Sequence, residues 1–335
     1  MLNIGVIGYG YWGPNLVRNF AESPRAQVRW VSDRSEERLA LAQRRHPGVR
    51  TDTDYQAMLR DPEVTAVAIA TPVSTHFPLA LECLRAGKHV WVEKPFTHTV
   101  EEGERLIEEA AKRGLRILVD HTFVYTGAVR KMKELIDAGT LGDIYYYDSM
   151  RVNLGLFQFD VDVIWDLVIH DLAIIENLFS ARPTGVSAIG RAHFPGRHAN
   201  TAFVTLHFEN DFIAHINASW LSPVKVRQIT VAGSKQMIVY DDMSNAEKIK
   251  VYDRGADLPM TRESTYNALM DYRMGDMWAP RIAGREALSL EVEHFLDCIE
   301  QGTQPITSGE VGLQLVRLLS AATTSMQNQG SLQKV

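Results

Sequence analysis

Over roughly the first 120 residues, short apolar runs alternate with stretches whose apolar residues recur at helical spacing. The runs 3–7, 28–32, 67–70, 89–92 and 116–119 predict strands; 13–22, 35–45, 75–86 and 99–113 predict helices between them. Strand–helix alternation with short connections predicts parallel βαβ units, a sheet covered on both faces. Punctuation agrees. Ser74 and Thr75 stand where a helix start is capped, and Gly87 follows a helix end.

Beyond residue 120 the period changes. One helix is predicted over 126–138. Longer strand-like runs follow at 143–152, 184–192, 200–208, 212–221, 226–233 and 236–241, joined in part by hairpin-like links at 209–212 and 232–235. A helical stretch at 164–179 interrupts them, and helices near 284–300 and 309–327 close the chain. Residues 253–283 show no clean period and read as a loop over a site or an arm to another subunit. The expected architecture is α/β: an N-terminal doubly wound parallel sheet over 1–121, then an α+β domain over 122–335 with a large, mainly antiparallel open sheet.

Composition narrows the function classes. The 335 residues are 45% hydrophobic and 23% charged, ordinary for a globular chain. A formal net charge of −6 without a basic stripe argues against nucleic acid as a partner. No stretch approaches the length of a membrane span. The two cysteines, Cys83 and Cys298, lie far apart and flank no CxxC, so no disulfide framework or structural zinc is expected. The opening "MLNIGVIGYG" has no basic n-region; a reducing cytoplasm is the expected location.

The chemistry begins in that opening. Gly8-x-Gly10-x-x-Gly13 follows a strand and starts a helix, the arrangement that turns tightly, admits a pyrophosphate against the backbone and aims a helix N-terminus at it. Asp33 lies twenty residues past Gly13 at the end of the second strand, where a carboxylate holds adenosine ribose hydroxyls. That favours NAD. Arg34, next in sequence, could instead accept the extra phosphate of NADP. Thr71, Pro72 and His76 end the next strand, at the edge where a doubly wound sheet forms its ligand crevice. "HVWVEKPFTH" then ends a buried-looking strand with Glu93, Lys94 and Pro95, an expensive place for a lysine unless its charge is used. The Lys94–Pro95 bond is a candidate for cis.

"VIWDLVIHDL" places Asp166 and His170 four apart, on one face of a helix, with Asp171 pointing elsewhere to be solvated or paired. An acid and an imidazole so placed could share a substrate hydroxyl. No third ligand at metal spacing accompanies them. Oxidising a carbinol requires a hydride acceptor, a base for the hydroxyl proton and a cation near the oxygen. The cofactor motif, His170 and Lys94 match those needs.

Together these residues resemble the Gfo/Idh/MocA family of sugar oxidoreductases: the GYGYWG opening, Asp33, "EKP" at 93–95 and "WDLVIHD" at 165–171. The resemblance spans essentially the whole chain. It implies Lys94, Asp166 and His170 as the catalytic group. Cofactor contacts are expected from Gly8, Gly10, Tyr11, Trp12, Gly13, Asp33, Arg34, Thr71, Pro72, His76, Glu93, Lys94 and Trp165. It also implies a homo-oligomer, dimer or tetramer, assembled through the open sheet. The "GYWGPNL" opening and Trp165 look most like members acting on nucleotide-linked sugars. "DHTFVYTGAVRK" departs from the pattern, with Val124 and Gly127 where many relatives carry Arg and Pro. Alternatives within this reading are a free polyol or inositol dehydrogenase, a ketoreductase, and a non-catalytic NAD-binding sensor or regulator.

Overall fold

The structure, a computed structural model, describes residues 1–155, 161–195, 198–257 and 271–335. Its contacts divide the chain into two units, Met1–Thr126 with Arg285–Ser320, and Gly127–Gly284 with Ala321–Val335. The sequence reading assigned 285–320 to the second unit; the fold returns them to the first.

The first unit is built on β1 (Leu2–Ile7), β2 (Ala26–Ser32), β3 (Arg50–Asp52), β4 (Ala66–Ile69), β5 (His89–Glu93) and β6 (Ile117–Asp120). They form one sheet of order β3-β2-β1-β4-β5-β6, parallel throughout. Between them run α1 (Gly13–Glu22), α2 (Glu36–Arg45), α3 (Gln56–Arg60), α4 (His76–Arg85) and α5 (Val100–Arg113). The expected doubly wound sheet is present, and its order reverses between β1 and β4, which opens a crevice at the strand C-termini. The short β3 and α3 carry too few apolar positions to announce themselves in sequence.

Local chemistry sets the helix ends. Thr99 and Glu102 form a reciprocal capping box at the start of α5, and Gly114 ends it with a left-handed φ of 67°. At α4 the expected side-chain cap is absent: Thr75 is the N-cap, but its hydroxyl lies 2.7 Å from the Pro72 carbonyl and from Thr71 Oγ1. The core is continuous from sheet to helix. Trp91 in β5 is fully buried, with Phe20 of α1 and Phe295 edge-on at 5.5 and 5.6 Å. Each such ring contributes about 1.5–3 kcal/mol by burial.

The second unit contains α6 (Gly127–Asp137), β7 (Ile144–Leu154), α7 (Ile169–Leu178), β8 (Gly185–Arg191), β9 (Thr201–His207), β10 (Ile213–Ser219), β11 (Leu221–Gly233), β12 (Met237–Asp241), β13 (Ile249–Asp257) and β14 (Asp271–Trp278). After α8 (Ala287–Gln301) in the first unit, α9 (Gly309–Gln327) is divided between the units at Ser320, and β15 (Gln333–Lys334) ends the chain. The described strands form a sheet of order β14-β13-β12-β11-β7-β10-β9-β8-β15, antiparallel except for β7 with β10. The mainly antiparallel expectation holds. Part of 253–283 is a correction: β13 reaches Asp257 and pairs antiparallel with β14, in segments read as having no clean period. The remaining part of that stretch, 258–270, lies outside the described residues.

Strands β9 and β12 alternate along their whole length. In β9, Ala202, Val204 and Leu206 are buried while Phe203 is exposed. Helix α7 buries Ile169, Leu172, Ala173 and Ile175.

Candidate active site

In the first unit the glycine motif is a cradle set by steric necessity. Gly8 has φ +96°, and a Cβ there would collide with the Ala70 carbonyl; a Cβ on Gly13 would collide with the Gly8 carbonyl. At Gly10 a Cβ would meet nothing nearer than the Arg38 guanidinium at 3.6 Å, so a pyrophosphate has room to approach the backbone. Helix α1 begins at Gly13 with Pro14 in its first turn and no side chain capping its first amides. Those amides are a ready anion site. A dinucleotide fits these residues.

Asp33 does more than the sequence suggested. Its Oδ2 accepts from the Tyr9 amide at 2.7 Å and its Oδ1 from the Ser35 amide at 2.9 Å, while Arg38 Nη1 stands 3.6 Å away. The carboxylate therefore also fixes the glycine loop. Beside it opens a cavity of about 540 Å³ lined by Asp33, Arg34, Ser35, Arg38 and Arg44 among others, at the end of β2. Tyr11 is exposed, and Trp12 donates its indole N–H to Asp120 Oδ2 at 2.9 Å. Thr71 and exposed Pro72 follow β4, whereas His76 is buried with both ring nitrogens on backbone carbonyls.

Lys94 is half-buried just past the end of β5, and its bond to Pro95 is cis. Below it lies a buried cluster of which the sequence reading named only Glu93. Glu93 is the register partner of Asp120 on β6, and buried Glu291 accepts from the His121 amide at 3.2 Å. Burial, and then the facing Asp120 carboxylate, push both Glu93 and Glu291 well above the usual carboxylate range. Burial pushes His121 down to about 4, so it is neutral at physiological pH. Besides Glu93, the sequence cue to this cluster is that Asp120 and His121 directly follow a predicted strand; Glu291 gives none.

The cluster has a stability consequence. A carboxyl whose folded pKa is raised stabilises the fold fully only below its unfolded pKa, and that contribution is lost as pH rises toward the folded value. Wild type is therefore expected to lose thermal stability relative to Glu291→Gln as pH rises from the ordinary glutamate value of about 4.3 toward neutrality. A melting-temperature difference constant across that range would contradict the assignment.

In the second unit the stretch expected to be a uniform helix is in part a π turn, Ile164–Val168, which leads into α7. Asp162 starts it, its Oδ1 accepting from the Ile164 and Trp165 amides at 2.9 and 3.1 Å. Asp166 lies in the widened turn and His170 in the first turn of α7. Asp166 Oδ2 is fixed by the indole N–H of Trp220 at 3.0 Å, a residue no motif singled out. Trp165 is buried and donates to Thr323 Oγ1 at 3.0 Å. Asp171 is paired rather than solvated, accepting from Arg151 Nε at 2.6 Å and from the Tyr147 hydroxyl at 3.0 Å. π turns recur at functional sites. No cluster able to hold a metal occurs among the described residues.

Comparison with known proteins decides the family. Residues 2–121 match the Gfo/Idh/MocA model described as an oxidoreductase family with an NAD-binding Rossmann fold, and residues 129–239 match the Gfo/Idh/MocA C-terminal domain. UDP-N-acetylglucosamine 3-dehydrogenase of Acidithiobacillus ferrooxidans is 31% identical over 334 residues, covering 96% of this chain and 95% of that one. This chain belongs to the Gfo/Idh/MocA family. It is an oxidoreductase. A solved structure of that same relative superposes with a TM-score of 0.82 at 28% identity, covering 98% of each chain. Myo-inositol 2-dehydrogenase of Thermotoga maritima is 26% identical over 353 residues, covering 99% of this chain and 98% of the relative. Among the described residues no helix is long and apolar enough to cross a membrane.

Proposed function

We propose that the protein transfers a hydride between NAD and a ring carbinol of a nucleotide-linked pyranose. The observation that carries this reading is the glycine cradle with Asp33 in a chain that also holds Lys94, Asp166 and His170, matched over nearly its whole length by a nucleotide-sugar dehydrogenase. Bound NAD would supply the hydride acceptor. The amides of Gly8, Gly10 and Gly13 would hold its pyrophosphate, and Asp33 its ribose. Lys94 would place its ammonium against the carbinol oxygen and stabilise the developing alkoxide. His170 would remove the hydroxyl proton, with Asp166, anchored by Trp220, orienting the ring or a neighbouring hydroxyl. The test is NADH formation with a panel of UDP-N-acetylhexosamines, UDP-uronates, free sugars and inositols. Turnover restricted to free inositols would replace this substrate class, and tight NAD binding without any turnover would point to a sensor.

For cofactor choice, Asp33→Ala is expected to weaken NAD by roughly 10–100-fold, the value of a charge-assisted pair of hydrogen bonds, and NADP less. Loosening of the loop through Tyr9 should add a smaller loss common to both. Equal losses for the two cofactors would refute the ribose role.

For assembly, the outer face of the large sheet presents Tyr146, Met150, Ile189, Phe203, Ile213 and Met277, each at least 39% exposed. An apolar face of that extent is an interface in waiting. Light scattering coupled to gel filtration is expected to show a homo-oligomer; a clean monomer of 37.7 kDa at micromolar concentration would exclude it.

A further inference from the structure

His76 opens α4 and is 1% exposed. Its Nδ1 lies 2.8 Å from the Pro95 carbonyl oxygen and its Nε2 lies 2.8 Å from the Thr71 carbonyl oxygen. A carbonyl oxygen can only accept. A neutral imidazole carries one N–H and one lone pair, so either tautomer would press a lone pair against an oxygen lone pair at hydrogen-bonding distance. Turning the ring over replaces nitrogens by C–H groups and loses both bonds. Only the imidazolium, with two N–H donors, satisfies both contacts. Burying that charge is costly, and two charge-assisted hydrogen bonds are the kind of partner that offsets the cost.

The placement says what the cation is for. Thr71 follows β4 and Pro95 follows β5, neighbouring parallel strands whose C-terminal ends border the crevice. Pro95 is bonded directly to Lys94. We propose that His76 is a resident imidazolium that clamps the Thr71 and Pro95 carbonyls together and so fixes the backbone from which Lys94 projects, making it a positioning residue. His76 was expected among the cofactor contacts; both its ring nitrogens face backbone carbonyls. The inference rests on the reading of Lys94 as catalytic.

Two measurements test it. In protein with nitrogen-15-labelled histidine at about pH 8, above the ordinary histidine value of about 6.5, both His76 ring nitrogens are expected to carry protons. The resonances are assigned by their loss in His76→Gln. One protonated and one bare nitrogen would overturn the clamp. Second, His76→Phe is expected to lower kcat by roughly 10²-fold, the scale of a misplaced catalytic group, with His76→Gln intermediate because it keeps a donor. NADH affinity, read by fluorescence quenching, should stay close to wild type. In a Lys94→Ala background the His76→Phe change should have little further effect on kcat. Additive losses would overturn positioning through Lys94. Should Lys94→Ala retain turnover, the reading of the active site fails, while the nitrogen-15 spectrum still decides the protonation state on its own. If His76→Phe does not fold, the spectrum and the His76→Gln kinetics carry the test.

Discussion

Lys94→Ala is expected to lower kcat by about 10²–10⁴-fold while leaving the fold and NAD affinity largely intact. Val90, Trp91 and Val92 of β5 are all fully buried, and a lysine two residues beyond Val92 is tolerated only where its ammonium has work or water. The strand ends at the crevice edge of a doubly wound sheet, where ligands bind. Neighbouring Glu93 faces Asp120, and burial pushes its carboxyl well above the usual carboxylate range. His170→Ala should cost a similar factor and remove a limb of the pH–rate profile near neutrality. Asp166→Asn should cost less, since the Trp220 indole can still bond its carbonyl oxygen. Steady-state kinetics with the true sugar and NADH titrations of each variant separate chemistry from binding. Near-wild-type turnover by Lys94→Ala would end the catalytic assignment.

The second large effect is on stability. Asp171→Ala is expected to destabilise the protein by about 3–5 kcal/mol, because it removes the carboxylate that pairs with the buried Arg151 guanidinium. Asp171 is 1% exposed and Arg151 4% exposed, and Tyr147, fully buried, donates to the same carboxylate. The triad joins β7 to α7, the helix that carries His170, so its loss should also show as lower activity. Denaturant unfolding measures the cost. Replacing both partners by apolar residues of similar size should recover much of it, since paired removal strands no charge. A single variant within about 0.5 kcal/mol of wild type, the range of an ordinary surface change, would refute this account.

The sequence by itself determined the repeating strand–helix order of the first unit, the alternation of the large sheet, the glycine cradle and the four-residue spacing of Asp166 and His170. These are properties of local period and of steric need: apolar residues at intervals of two or three to four have one way to bury, and Gly8 and Gly13 occupy positions where a Cβ would collide. Family membership was legible for the same reason, since it rests on short motifs.

Tertiary structure decided what depends on distant partners. That residues 285–320 return to the first unit, bringing Glu291 beside His121 and Phe295 against Trp91, is invisible to any local period. The strands β13 and β14 were missed because Asp253, Arg254, Gly255, Gly275 and Asp276 interrupt the apolar alternation that marks a strand, and their pairing with each other supplies what the pattern does not. The π turn at Ile164–Val168 differs from an α-helix by one hydrogen-bond register, which residue types do not encode. His76 shows the division most plainly. Its place after a strand marked it as important, but whether its ring faces a cofactor or two carbonyls depends on Pro95, nineteen residues away along the chain and one hydrogen bond away in space.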